Sequence, residues 1–168
     1  MSNSSETASE TESGGNSSRN ITPRKLVIAG GAGFVGILAM LPFFAVAYTF
    51  GALTPVAFAS LSELVGISTT SPWAFPVGVI LFVGAGMTML PILFVSLAGF
   101  LPPERSLGLR GVAFATIVWT GFFFAFEIDQ SGVTFWVFVV TTLLAHFAYG
   151  YVLGSLFGRY ARVPSYDV

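Results

Sequence analysis

Lys25 to Met40 reads KLVIAGGAGFVGILAM. Within it Gly31, Gly33 and Gly36 spell G-x-G-x-x-G behind an apolar run, the spacing by which dinucleotide folds cradle a pyrophosphate. Such a fold needs a strand, a tight turn, a helix and an acid roughly 20 positions later for the ribose. Here the first acid after the glycines is Glu63, and the apolar run continues uncharged from Leu26 to Phe50, 25 residues. A strand of about 5–6 residues plus a loop does not account for that length, whereas about 20 apolar residues cross a bilayer as a helix. The stretch therefore reads as a membrane helix. Its glycines, with the pairs Ala29/Gly33 and Ala32/Gly36, are small-xxx-small spacings that let backbones approach closely.

Composition agrees. The 168 residues are 54% hydrophobic and only 9% charged, with 18 Phe. A soluble domain carries roughly 25% charged residues to cover its surface. The absence of cysteine excludes disulfides, thiolate metal sites and a cysteine nucleophile within this chain. Residues 1–22 open with MSNSSETASETESGGNSSRN, too polar to bury the surface that ordering requires, and are expected to be a disordered acidic tail. They do not resemble a signal peptide, whose leader is basic and whose apolar run is shorter, so the first span is expected to stay in the membrane.

Four uncharged runs follow, at about 26–50, 73–101, 111–126 and 133–157, within a domain spanning 23–160 and ahead of a short tail at 161–168. The third is the shortest, so Arg110 and Glu127 are expected near the two interfaces, Arg110 by snorkelling. Arg19, Arg24 and Lys25 precede the first run, Arg105 and Arg110 lie between the second and third, and Arg159 and Arg162 follow the fourth. The other connections hold Glu63, Glu127 and Asp129 and no base. By the positive-inside rule both termini and the 102–110 loop are cytoplasmic, in a multi-pass protein of the cell membrane. Trp73, Trp136 and Tyr160 then sit at the interfaces. In the first outer connection Thr54 is a candidate N-cap with Pro55 at the first helical position; Phe58, Leu61 and Val65 recur opposite Ser60 and Glu63. A short amphipathic helix is expected there, lying on the surface or capping the bundle.

The fourth run carries the candidate site. In TTLLAHFAYGYVLGSLFGRY, Thr141–Tyr160, Gly150, Gly154 and Gly158 recur every four residues, and Thr142 and His146 extend the same ladder, with Tyr149 adjacent. His146 is the one histidine and lies near mid-span, where an ionisable group is by default a functional candidate. The plainer reading is an imidazole satisfied by a neighbouring helix, for which Thr49, Thr88, Ser96, Thr116, Thr120 and Tyr149 are candidate partners. A haem takes two axial ligands, or one plus a substrate position, and only Met87, Met89 or a second copy's histidine could complete the pair. No cofactor and no metal is expected.

Pro42 and Pro91 interrupt the first and second runs, freeing the carbonyls of Leu38 and Met87. Their settings, FVGILAMLP from Phe34 and FVGAGMTMLP from Phe82, hint at an inverted repeat of broken helices, a pointer to transporters. Ordinary kinks fit as well. Glu127–Asp129 reads either as a cation-attracting outer mouth or as a solvated turn.

The third run opens R-G-V-x-F at Arg110, Gly111, Val112 and Phe114; the fourth carries L-L-A-H-x-A-Y-G from Leu143 to Gly150. On these residues the chain from Lys25 to Tyr160 resembles a family of small haloarchaeal four-span membrane proteins of unknown function, some of whose members are labelled cytochrome c oxidase-related. The resemblance implies an all-α bundle of four transmembrane helices and brings no activity. A haem-copper catalytic subunit needs about a dozen spans and several histidines, so an accessory subunit is the most the label allows. The expected function is a non-enzymatic accessory or interaction subunit packed through small-residue faces. The alternatives are a small-solute or proton transporter using His146 between proline-kinked helices, and a respiratory-oxidase accessory subunit. The expected partners are the lipid bilayer and a second copy or larger membrane complex, with no nucleic acid.

Overall fold

The computed structural model describes residues 23–125 and 131–160; the expectations for the acidic tail, the Glu127–Asp129 turn and the C-terminal tail lie outside them. All regular elements among the described residues are helical. Helix α1 spans Pro23–Thr49, and it continues through Pro42, which faces outward. Its sides are sorted by size. Ala29, Ala32, Ile37, Met40 and Ala47 are buried, while Phe34, Leu38, Leu41 and Val46 are exposed, and Val27 is 75% exposed. A water-soluble helix turns its large apolar side chains inward. This one sets Ala29, Ala32 and Ala47 inward with Ile37 and Met40, and leaves most of its large apolar side chains outside, as association within lipid favours.

Helix α2, Pro55–Ala59, starts at Thr54 with Pro55 at its first position, though the Thr54 hydroxyl makes no capping bond. From Ser60 to Val65 the chain tightens into a 3-10 helix ending at Gly66, whose φ of 79° suits glycine. The tightening changes which face is buried. Leu61 and Ser62 point inward and Val65, in the last turn before Gly66, points out, so the expected Phe58/Leu61/Val65 stripe is corrected to Phe58, Leu61 and Ser62. Ser62 is tolerated there because its hydroxyl donates to the carbonyls of Ala59 (2.7 Å) and Ile67 (2.8 Å). The segment caps the other helices: the Phe58 ring meets Phe44, Phe75 and Phe82, and its carbonyl lies where a Cβ on Gly78 would be.

The next long helix is continuous from Ala74 to Phe100 but not uniform. It comprises α3 (Ala74–Gly84), a π segment (Ala85–Met89), α4 (Leu90–Leu97) and a 3-10 turn (Ala98–Phe100). Helix α5 runs Leu107–Ala125 and α6 runs Gly132–Tyr160. Three helices, Val27–Thr49, Ala74–Phe100 and Gly132–Tyr160, are long and apolar enough to cross a membrane; the apolar part of α5, Leu107–Phe123, is shorter.

Arg110 lies at the edge of the third apolar run, where its guanidinium meets the connection before α5. Because α5 begins three residues earlier, at Leu107, Arg110 lies in its first turn beside the end of the preceding helix. Its guanidinium donates to the carbonyls of Ala98 (2.9 Å), Pro103 (3.2 Å) and Glu104 (3.1 Å). A fork of donors thereby holds the Ala98 carbonyl at a helix C-terminus, where positive charge is favoured, together with two carbonyls of the following connection.

Helix α6 occupies the centre and packs against α1 and α5. Contacts along each pair run in opposite sequence order: Gly36 meets Tyr149 while Ala47 lies with Val137 and Phe138, and Gly111 meets Gly150 while Trp119 meets Thr142. Both pairs are antiparallel. Phe94 joins the two sides, its ring 5.5 Å from Phe114 and 5.9 Å from Phe157.

Candidate functional site

The glycine ladder of α6 is filled from within the chain. A Cβ on Gly150 would collide with the Gly111 carbonyl and lie 2.6 Å from the Ala115 Cβ; one on Gly111 would collide with the Gly150 carbonyl. Gly154 faces the Leu107 carbonyl in the same way, and Gly158 meets the Leu107 side chain. Backbone thus lies on backbone along the N-terminal half of α5 and the C-terminal half of α6.

Above that seam the ladder turns polar. The Trp119 Nε1–H of α5 donates to Thr142 Oγ1 at 3.0 Å, and that hydroxyl donates in turn to the Phe138 carbonyl at 2.7 Å. The Thr142 carbonyl accepts from His146 Nδ1 at 2.8 Å. The Nδ1 side of His146 is therefore satisfied by its own helix, and none of the six partners expected from the sequence bonds to it. The reason is local. Thr49, Thr88, Ser96, Thr116 and Thr120 each donate to a carbonyl three or four residues back on their own helix. In a helix that acceptor is always within reach, whereas a partner across a helix interface is not. Trp119 was missed. A mid-span indole has a single N–H donor and usually finds an acceptor when buried, and that was the available signal.

Tyr149 does bridge helices. Its hydroxyl donates to the Gly86 carbonyl at 2.7 Å, in the π segment. That carbonyl is the one Pro91 leaves without a donor. In α-helical register Pro91 would free Met87, as expected from the sequence; here the Leu90 N–H bonds to Ala85, five residues back, so the register has slipped by one. The next bond of that register would run from residue 91 to Gly86, and proline has no N–H to give it. Tyr149 supplies the missing donor. Gly33 and Gly36, from the opening fingerprint, make the approach possible. A Cβ on Gly33 would lie 2.9 Å from Met87 Cα and Pro91 Cγ, and one on Gly36 2.7 Å from the Tyr149 ring, whereas Gly31 has nothing within 4 Å. Pro42 has no such arrangement: α1 stays α-helical through it. The proposed match between two broken helices is thus not realised, because only Pro91 is buried against a neighbour.

Beside Tyr149 and His146 a partly open cleft with a cavity volume of about 90 Å³ lies between α3 and α5. Its walls are otherwise apolar, with Met40, Leu81, Phe82 and Val118 among them. Among the described residues no three of His, Asp or Glu come together as a metal site would require.

The fold is thus an all-α protein of long apolar helices joined by glycine contacts and one proline-dependent hydrogen bond. Residues 23–168 match the family of unknown function DUF6789, and the chain belongs to it. No curated protein and no solved structure matches the chain.

Proposed function

We propose that the chain is a four-span integral membrane protein with both termini cytoplasmic, acting as a non-enzymatic accessory or interaction subunit. The observation that carries the membrane reading is the large apolar surface left exposed, with Ile80, Met89 and Phe100 among the side chains turned outward. Water would penalise that surface; lipid does not. Helix α5 has 19 residues, about 28 Å at the helical rise, close to the roughly 30 Å hydrocarbon thickness. Its antiparallel seam with α6 supports counting it as the fourth span.

The non-enzymatic reading is supported by where the polar side chains of the helices point. Most hydroxyls are turned onto backbone carbonyls of their own helix, which leaves few groups for chemistry or for a hydrated route. Because the chain has no native cysteine, single-cysteine labelling tests the orientation cleanly. Cysteines at Ser68 and Ser131 are expected to react with an impermeant maleimide on intact cells, and one at Glu104 only after permeabilisation. Reaction of Glu104→Cys on intact cells refutes the topology. Cross-linking and purification in mild detergent tests the subunit role, and a monomer without a co-purifying protein refutes it.

One observation favours a second reading, a small-solute or proton transporter. The π segment and Pro91 place an irregular helix beside the cleft that His146 lines. Flux through the purified protein in liposomes that is unchanged by His146→Ala refutes that reading.

A further inference from the structure

Helices α3 and α5 diverge. Below, the chain that continues from α3 meets α5 where Phe94 touches Phe114; above, α3 leans on α2 and its 3-10 extension while α5 stays on α6. The wedge between them has Met40 and Tyr149 in its floor and Leu64 near its outer end. The imidazole of His146 stands on its wall. Nδ1 must carry the proton, since the Thr142 carbonyl can only accept. In the neutral ring Nε2 then holds a lone pair, and among the described residues it has no protein partner. An apolar wedge with an unpaired acceptor on its wall suits an apolar guest that carries a hydroxyl donor. The aromatic side chain of Phe82 on one wall favours a ring in that guest.

We propose that the cleft between α3 and α5 binds a lipid-soluble phenol or quinol whose ring hydroxyl donates to His146 Nε2. The inference rests on the membrane reading only in that the guest arrives from lipid. Its entry is lateral, between the two diverging helices, and its tail remains among the acyl chains. Nothing in the arrangement requires the guest to react.

Binding of decylhydroquinone and of its dimethyl ether to the purified full chain in detergent micelles, corrected for empty micelles, tests this. The hydroquinone is expected to bind roughly tenfold more tightly than the ether, the worth of about one buried hydrogen bond. His146→Leu is expected to remove that preference and His146→Gln, which keeps an acceptor, to retain it in part. Val118→Trp, which fills the wedge without touching the acceptor, is expected to abolish binding of both. Equal binding of hydroquinone and ether overturns the proposal. So does a preference that survives His146→Leu, or a phospholipid that co-purifies and is not displaced. Absence of binding in a chain whose cysteine labelling confirms four spans overturns this inference and leaves the membrane reading standing.

Discussion

The two glycines at positions 31 and 33 give the sharpest test of the packing. Both lie in α1, two residues apart, and both sit in the apparent nucleotide fingerprint. A methyl group at Gly31 meets nothing within 4 Å. At Gly33 it would lie 2.9 Å from Met87 Cα and from Pro91 Cγ and would overlap the Gly86 carbonyl oxygen. Ordinary carbon contacts begin near 3.4 Å, so α1 and the π segment must part by at least half an ångström or so. Neither Met87 Cα nor the proline ring can rotate away. Overpacking of this kind costs about 1–3 kcal/mol. The displaced carbonyl is also the acceptor of Tyr149, whose bond is worth roughly 0.6 and at most about 1.7 kcal/mol in a membrane protein. The gain in helix propensity from Gly to Ala, up to about 1 kcal/mol, applies equally at both positions and cancels in the comparison. Gly33→Ala is therefore expected to be about 2–4 kcal/mol less stable than Gly31→Ala, as measured by denaturing-detergent titration in mixed micelles. A difference below about 0.5 kcal/mol, within the scatter of surface substitutions, would refute the placement of α1 against the π segment.

The remaining expectations follow from the same contacts. Tyr149→Phe leaves the Gly86 carbonyl without a donor and is expected to cost about 1 kcal/mol, but less in a Pro91→Ala background, where a backbone N–H is restored. Additive effects in that double-mutant cycle would break the link between proline and tyrosine. Gly150→Leu is expected to cost more than about 3 kcal/mol or abolish folding, because the Gly111 backbone cannot yield; retention of wild-type melting behaviour contradicts the α5–α6 seam. Arg110→Lys is expected to behave like Arg110→Gln in amide exchange over residues 98–104, since one ammonium cannot reproduce a fork that spans three carbonyls. Protection equal to wild type in the lysine variant shows that charge alone suffices. Trp119→Phe keeps the ring and removes the N–H, so a loss of about 0.5–1 kcal/mol is expected, and none in a Thr142→Val background.

What could be read from the sequence and what could not divides along a physical line. Apolar length and the absence of charge are one-dimensional properties, and they gave the long helices and the rejection of a nucleotide fold without any knowledge of neighbours. The glycine ladder at 150, 154 and 158 could be read as a close-packing face for the same reason, since a period of four defines one side of a helix. The partner of that face could not be read, because any neighbouring helix would satisfy it; α5 fills it through Leu107 and Gly111. The partner of His146 was misjudged for the opposite reason. The search looked across interfaces, while the nearest acceptor, the Thr142 carbonyl, is present in every helix and leaves no mark on side-chain identity.

The π segment shows why the cleft was out of reach. Pro91 announced a missing N–H, but whether the helix would kink, widen or borrow a donor depends on what stands opposite. Here Tyr149 stands opposite, and it can reach only because Gly33 and Gly36 draw α1 close and Gly86 carries no side chain to intervene. With its carbonyl satisfied from α6, the helix tolerates five residues of wider register, and α3 on the far side of them leans on α2 and its 3-10 extension. The wedge lies beside that accommodation, lined by Gly86, Tyr149 and His146. Four residues on three helices, Gly33, Gly86, Pro91 and Tyr149, therefore meet at one hydrogen bond beside the cleft, and no one of them taken alone predicts it.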